Sequence, residues 1–243
     1  MATKPGNTSS DKVRKTRKAI DQPQPDGDPS LSRARIAAAA IAILDAEGLE
    51  GLSMRKLADR LGAGVMSLYW HVANKDDLLD LALDAVLALP AAQASDTEAA
   101  ERQPADPHPV QHWRADILEM ASDWRAAMLA HPWSAALLPS RALGPNILAR
   151  LEMLGSALAR AGVAEADINA AIWSLWNHVM GATITRASFA VSSQDRQAAQ
   201  TRAADPAADH PTISRTNLVM DDDWDGAFRK GLGFLLDGVG RRG

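Results

Sequence analysis

The chain has 243 residues, of which 47% are hydrophobic and 23% charged, enough for two modest globular domains and too many for a lone DNA-binding module. It contains no cysteine, which excludes a disulfide framework, a cysteine-built zinc site and a thiol nucleophile. The formal net charge of −4 is unevenly spread: residues 1–75 carry 12 Lys/Arg against 8 Asp/Glu, so the acidic excess lies entirely in the rest of the chain.

A cationic end on an acidic body suits a DNA-binding head, because phosphate attraction follows the local field. Alanine and leucine dominate while strand formers are scarce, which predicts an all-α protein. No apolar run is long enough to span a bilayer, and the N-terminus lacks the apolar core of a signal peptide. A cytoplasmic protein with no membrane partner and no cofactor is expected.

Residues 1–30 are rich in Pro, Gly, Ser and charge and read as a disordered arm, with a basic cluster at Lys12, Arg14, Lys15, Arg17 and Lys18. That cluster is either a solvated tail or a nonspecific DNA contact. The first helix starts at Ser30 or Ser32 and stops at Gly48, with Ile36, Ala40, Ile43, Leu44 and Glu47 along one stripe. A short second helix is capped by Ser53, turns Leu57, Ala58 and Leu61 inward, and is broken by Gly62-Ala63-Gly64. A third of about two turns covers 65–71, and Asn74 caps a fourth, with Asp77 in a capping-box position. Four prolines over 90–109 mark a connection. Further helices are predicted over 112–130, 132–138, 145–161, 165–187 and 222–239. Residues 188–222 are polar and ambiguous. The domains are a 1–30 arm, a 31–75 DNA-binding head and a 76–243 helical body for ligand binding and dimerisation.

Residues 51–75 read GLSMRKLADRLGAGVMSLYWHVANK. A helix-turn-helix needs two short helices locked at a steep angle by a glycine-bearing turn, one bracing on the backbone while the other enters the major groove. Leu57, Ala58, Leu61, Leu68 and Val72 supply a shared core, and with Leu68 inward the period turns Met66, Ser67, Tyr69 and Trp70 outward. So short a helix cannot hide its whole circumference, and an outward Tyr-Trp pair points to DNA. Tyr69 and His71 suit phosphate, Trp70 suits sugar or a thymine methyl, and Arg55 and Lys75 suit phosphate or a base edge. Val65, Met66 and Ser67 complete the candidate DNA-reading set.

The runs Glu50-Gly51-Leu52, Arg55-Lys56-Leu57-Ala58, Leu61-Gly62, Leu68-Tyr69-Trp70-His71-Val72, Asn74-Lys75 and Leu78-Leu79-Asp80 resemble the DNA-binding domain of the TetR family, closest to its tetracycline-binding branch. The resemblance implies an all-α homodimer that binds a palindromic double-stranded operator and releases it on binding an inducer. Where the tetracycline-binding members carry Gln-Pro-Thr, this chain has Val65-Met66-Ser67. An amide suited to adenine gives way to apolar groups suited to thymine methyls, so a different operator is expected.

The body carries no phosphate loop and no nucleophile elbow, so no enzyme is expected. His108 and His112 stand four apart, but prolines around His108 speak against a helical metal face. Seven Trp against three Phe and one Tyr leave two readings, core filling or the walls of a ligand cavity. The candidate ligand-lining set is Trp124, Trp133, Leu138, Trp173, Trp176, Asn177, His178 and Met180. By resemblance, the 173–181 stretch matches a region in which His178 stands for a drug-contacting histidine. The family's magnesium ligands fall on Leu138 and Arg186, which cannot replace them. A hydrophobic or aromatic inducer is therefore expected, rather than tetracycline–magnesium. The last helix presents Phe228, Leu232, Leu235, Leu236 and Val239, either for its own domain or, as favoured here, for dimerisation together with the 165–187 helix.

Overall fold

The computed structural model describes residues 31–88, 112–189, 191–205 and 209–240. The 1–30 arm with its basic cluster, the 90–109 connection and His108 lie outside them. The described elements are helical: α1 (Arg33–Gly51), α2 (Met54–Leu61), α3 (Val65–Leu68), α4 (Lys75–Val86), α5 (Trp113–Ala130), α6 (Pro132–Leu137), α7 (Pro145–Arg160), α8 (Glu165–Ser188), α9 (Ser193–Ala204), α10 (Pro211–Thr216) and α11 (Trp224–Gly240). A 3₁₀ turn, Leu138–Ser140, follows α6. Helices α9 and α10 resolve the ambiguous polar stretch. Among the described residues, no helix is long and apolar enough to cross a membrane.

The caps read from the sequence recur with their bonds. Ser32 Oγ accepts from the Arg35 amide at 3.2 Å, Ser53 Oγ from the Lys56 amide at 3.2 Å, and Asn74 Oδ1 from the Asp77 amide at 2.9 Å. The Asp77 carboxylate reaches back to the Ala73 amide at 3.0 Å, closing a reciprocal cap. The regular part of α1 ends at Gly48, whose φ is +68°. Glu47, expected on the apolar stripe, is instead exposed and paired with Lys56.

The third helix is one turn, not two. Gly64 offers it no side-chain cap, and the amides of His71 and Val72 both donate to the Leu68 carbonyl, at 2.9 and 3.0 Å, in a closing turn.

Helices α1 to α4 close a small core of Ile36, Ile43, Leu44, Leu57, Ala58, Leu68 and Leu78. Burying each Leu or Ile contributes about 1.5–3 kcal/mol. That core continues without a break into the body, where Trp124, Met128, Ile147, Leu158, Trp176, Val179 and Leu232 belong to the same cluster. Two helices carry the continuity: α4 touches α1, α6 and α7, and α1 touches α4 and α6. The predicted head therefore rests directly on the body.

Candidate nucleic-acid interface and ligand core

The turn between α2 and α3 depends on Gly62, which caps α2 in the left-handed region at φ +65° and donates its amide to the Asp59 carbonyl at 3.3 Å. Glycine takes this conformation without steric cost. The turn aims α3 away from the core, with only Leu68 fully inward at 0% exposure. Met66 is 75% exposed, Trp70 73% and Tyr69 47%. Three large side chains thus stand in solvent within five residues, at a hydrophobic cost that function must explain.

The remaining candidate contacts divide. Arg55 is exposed at the start of α2. Ser67 and His71 are half-buried, and Val65 packs partly on the core, so Val65 offers less to a groove than its neighbours. Lys75 is exposed, but its ammonium donates to the Leu49 carbonyl at 2.9 Å, bracing the end of α1. A lysine carries three donors, so phosphate contact from Lys75 would be a second duty. Sequence reading missed Arg33, whose Nη1 donates to the His71 carbonyl at 2.6 Å across 38 residues. It buttresses the reading turn from α1, and nothing in its local pattern announces that.

The expected ligand-lining set separates in the structure. Trp124, Leu138, Trp176 and Met180 are buried, and the rings of Trp124 and Trp176 meet edge to face at 4.9 Å. Trp173 is 56% exposed and Asn177 is exposed, because they lie on the outward arc of α8 while Trp176 and Met180 lie on the inward one. Trp133 is buried, but its indole Nε1 donates to Asp45 Oδ1 at 2.8 Å. His131 Nδ1 lies 2.8 Å from the same oxygen. His131, just before α6, and Trp133 within it therefore fasten α1 to the body. His178 stacks on Phe228 with ring centroids 5.2 Å apart, and its Nε2 lies 2.9 Å from the Phe228 carbonyl. It is bonded to α11, not held free toward an interior ligand.

The expected dimerisation set needs a correction too. Phe228 (4% exposed), Leu232 and Leu236 (both 0%) are buried within the single chain. They face α5 and α8, so they cannot also form a surface for a second copy. Leu235 and Val239 are half-buried. With Ala170, Ala171, Leu175 and Gly238 they line a cleft of about 240 Å³ between α8 and α11. The prominent outward side chain of α11 is Phe234, 74% exposed, which the apolar stripe does not single out. A second, shallower groove of about 780 Å³ lies between α7 and α8, lined by Leu148, Gly155, Ile168 and Ile172 among others.

Two polar joints hold α4 to α7. Asp84, though in the interior of α4, caps α7: it accepts from the Asn146 amide (2.9 Å), the Asn146 side-chain amide (2.9 Å) and the Ile147 amide (3.3 Å). The approach requires Gly144, since a β-carbon there would overlap the Asp84 carboxylate. Arg150 on α7 reaches the other way, to the carbonyls of Leu87 (2.6 Å) and Ala88 (2.9 Å) at the end of α4. Arg141 pairs with Asp76 at 2.8 Å nearer the start of α4. On the far side, Arg125 Nη1 bonds Asp225 at 2.7 Å, tying α5 to α11 and holding the Asp225 carboxyl below its ordinary pKa.

Residues 36–82 match the model of bacterial regulatory proteins, tetR family, and residues 106–242 match the tetracyclin repressor-like C-terminal domain. An HTH-type transcriptional regulator of Saccharopolyspora erythraea is 39% identical over 216 residues, covering 87% of this chain and 85% of that protein. ActR of Streptomyces coelicolor, solved in complex with actinorhodin, superposes with a TM-score of 0.68 at 29% identity, over 87% of this chain and 96% of its own. BioQ solved with its double-stranded DNA operator superposes with a TM-score of 0.55 at 28% identity, over 87% of this chain and 99% of its own. With both its helix-turn-helix segment and its helical body matched, the chain belongs to the TetR family of bacterial transcriptional regulators.

Proposed function

We propose that the protein is a homodimeric repressor that binds a palindromic operator through the 65–71 segment of each head and releases it when a hydrophobic or aromatic small molecule occupies the body. Residues 31–75 act as the reading head and 76–243 as the sensing and dimerising body. The observation that carries the reading is the exposure of Met66, Tyr69 and Trp70 around a fully buried Leu68. Such an arrangement offers a groove apolar and aromatic contacts while the framework stays rigid. The BioQ–operator and ActR–actinorhodin complexes support the two halves of the reading.

Tyr69→Ala and Arg55→Ala are each expected to weaken operator binding by about 1–3 kcal/mol. A gel-shift titration reads this, and unchanged affinity in both variants rejects the placement of α3 in the groove.

Dimerisation is assigned to the outer faces of α8 and α11, where Trp173, Asn177, Ile184 and Phe234 stand in solvent. The cleft between the two helices is apolar along most of its length and lies one turn from Phe234. It suits the Phe234 ring of a second copy, under a two-fold axis that buries each ring reciprocally. That axis sets the two reading segments roughly 34–36 Å apart, one DNA turn. Phe234→Asp is expected to shift sedimentation from dimer to monomer at micromolar protein. Persistence of the dimer removes this face from the interface.

Release then requires only that the ligand favour a different head separation by about 1–3 kcal/mol. Helix α4 is the natural lever, since it is shared by the head core and the α7 joints. A second reading, in which the body only dimerises or binds a protein partner, is favoured by the direct contact of Trp124 with Trp176. The two separate by whether any small aromatic compound changes operator affinity.

A further inference from the structure

Among the buried donors of the described body that lack a hydrogen-bond partner, two lie in one patch. Trp124 on α5 is 2% exposed and its indole Nε1 has no partner; Arg150 on α7 is 1% exposed and its Nη1 has none. The Arg150 guanidinium carbon lies 6.0 Å from the Trp124 ring centroid, so both donors belong to one patch of the interior. The rest of the guanidinium is engaged, with Nε on the Leu87 carbonyl and Nη2 on the Ala88 carbonyl and on Asp123 at 2.8 Å. Buried polar groups are overwhelmingly paired, and leaving one unpaired costs about 1–3 kcal/mol. Two unpaired donors in one patch of the interior, on different helices, mark a place where an acceptor belongs.

The geometry points to a ligand subsite at this patch, taking a planar aromatic compound that carries an oxygen acceptor: a carboxylate, a phenolate or a quinone carbonyl. The oxygen receives Arg150 Nη1 and Trp124 Nε1, and the ring system lies against Trp176, whose edge contact with Trp124 parts to admit it. Neither group can accept a hydrogen bond in return, so a protonated amine or a bare hydrocarbon leaves both donors stranded. Met180, 5% exposed on the inward face of α8, supplies an adaptable apolar wall. The subsite also explains how occupancy reaches the head. The guanidinium that meets the ligand is the one that holds the Leu87 and Ala88 carbonyls just past α4, so drawing it toward an anion loosens or redirects that hold.

This inference rests on the proposed ligand-responsive reading and narrows its ligand class. The test is calorimetric binding of 2-naphthoate and anthraquinone-2-carboxylate against naphthalene and anthraquinone, with operator gel shifts run in parallel. The carboxylates are expected to bind the wild type roughly tenfold or more tightly than naphthalene, as a hydrogen bond to a charged group implies. Anthraquinone, with its carbonyls, falls between. In Trp124→Phe, which keeps a ring and removes the N–H, the preference for carboxylates drops severalfold. In Arg150→Lys, which keeps the charge and loses the fork, carboxylate binding weakens and its effect on the operator shrinks. Trp124→Phe retains an aromatic filler, so it remains informative if Arg150→Lys melts early. Equal binding of naphthalene and 2-naphthoate, an unchanged preference in Trp124→Phe, or no carboxylate binding at millimolar concentration each overturns the subsite. Operator release by naphthalene as readily as by 2-naphthoate leaves the regulator reading standing and removes the acceptor assignment. Carboxylate binding that depends on both residues while the operator stays bound supports the subsite and removes the inducer role.

Discussion

Leu68→Ala is expected to lower folding stability by about 2–5 kcal/mol and to abolish operator binding, even though Leu68 is buried behind the exposed face of α3. Leu68 is 0% exposed and is the one fully inward side chain of the single-turn α3. Truncation leaves a cavity against α2, and only the partly buried Val65 is left to hold the angle of a four-residue helix. The turn that follows depends on the Leu68 carbonyl for two amides and on Arg33 for the His71 carbonyl, so the loss spreads into the reading residues. The comparison is Met66→Ala, which removes a side chain 75% exposed and should change stability by no more than about 0.5 kcal/mol. Denaturant midpoints and gel shifts measured on both variants separate anchoring from contact. If Leu68→Ala keeps near-normal stability, the packing described for α3 is wrong.

Asp84→Ala is expected to cost about 2–4 kcal/mol, the sum of a lost helix cap and partly buried amides left without an acceptor. The carboxylate serves three donors on Asn146 and Ile147, and Gly144 leaves it room to do so. The backbone amides of Asn146 and Ile147 then lose their acceptor, while the Asn146 side chain keeps only the Asp84 carbonyl at 3.1 Å. The melting temperature should fall, and amide hydrogen exchange should accelerate at 146–148 before it does so in α5. Asp84→Asn, which retains one oxygen, should lie between. An Asp84→Ala protein as stable as the wild type would show that α4 and α7 are not joined there.

The helices and their ends were legible in the residues. Ser32, Ser53 and Asn74 cap where their side-chain oxygens predict, and Gly48 and Gly62 stop helices by adopting positive φ. These are local effects, contained within four or five residues of chain. The outward turn of Met66, Tyr69 and Trp70 was legible for the same reason, since a helix of fixed period with one inward residue assigns the rest.

The partners of each face were not legible. Periodicity marks Phe228, Leu232 and Leu236 as an apolar stripe, but a stripe looks the same whether it meets its own body or a second copy. Here it meets its own, and Phe234 on the other side stands in solvent. Trp133 and His178 both belong to the expected ligand-lining set, yet one bonds Asp45 on α1 and the other bonds and stacks on Phe228 of α11. Arg33, Asp84 and Arg150 act across 38 to 63 residues of chain, and a charged residue on a helix gives no local sign of so distant a partner.

By itself, then, the sequence determined the reading head, the helical body and the family, because short-range capping, helical period and an ungapped motif carry that information. Only the tertiary structure decided which of the seven tryptophans pack into the core, which fasten helices and which are left with an unanswered donor. Those outcomes depend on helices brought together from far along the chain, where burial turns an ordinary arginine or indole N–H into a group that must find a partner.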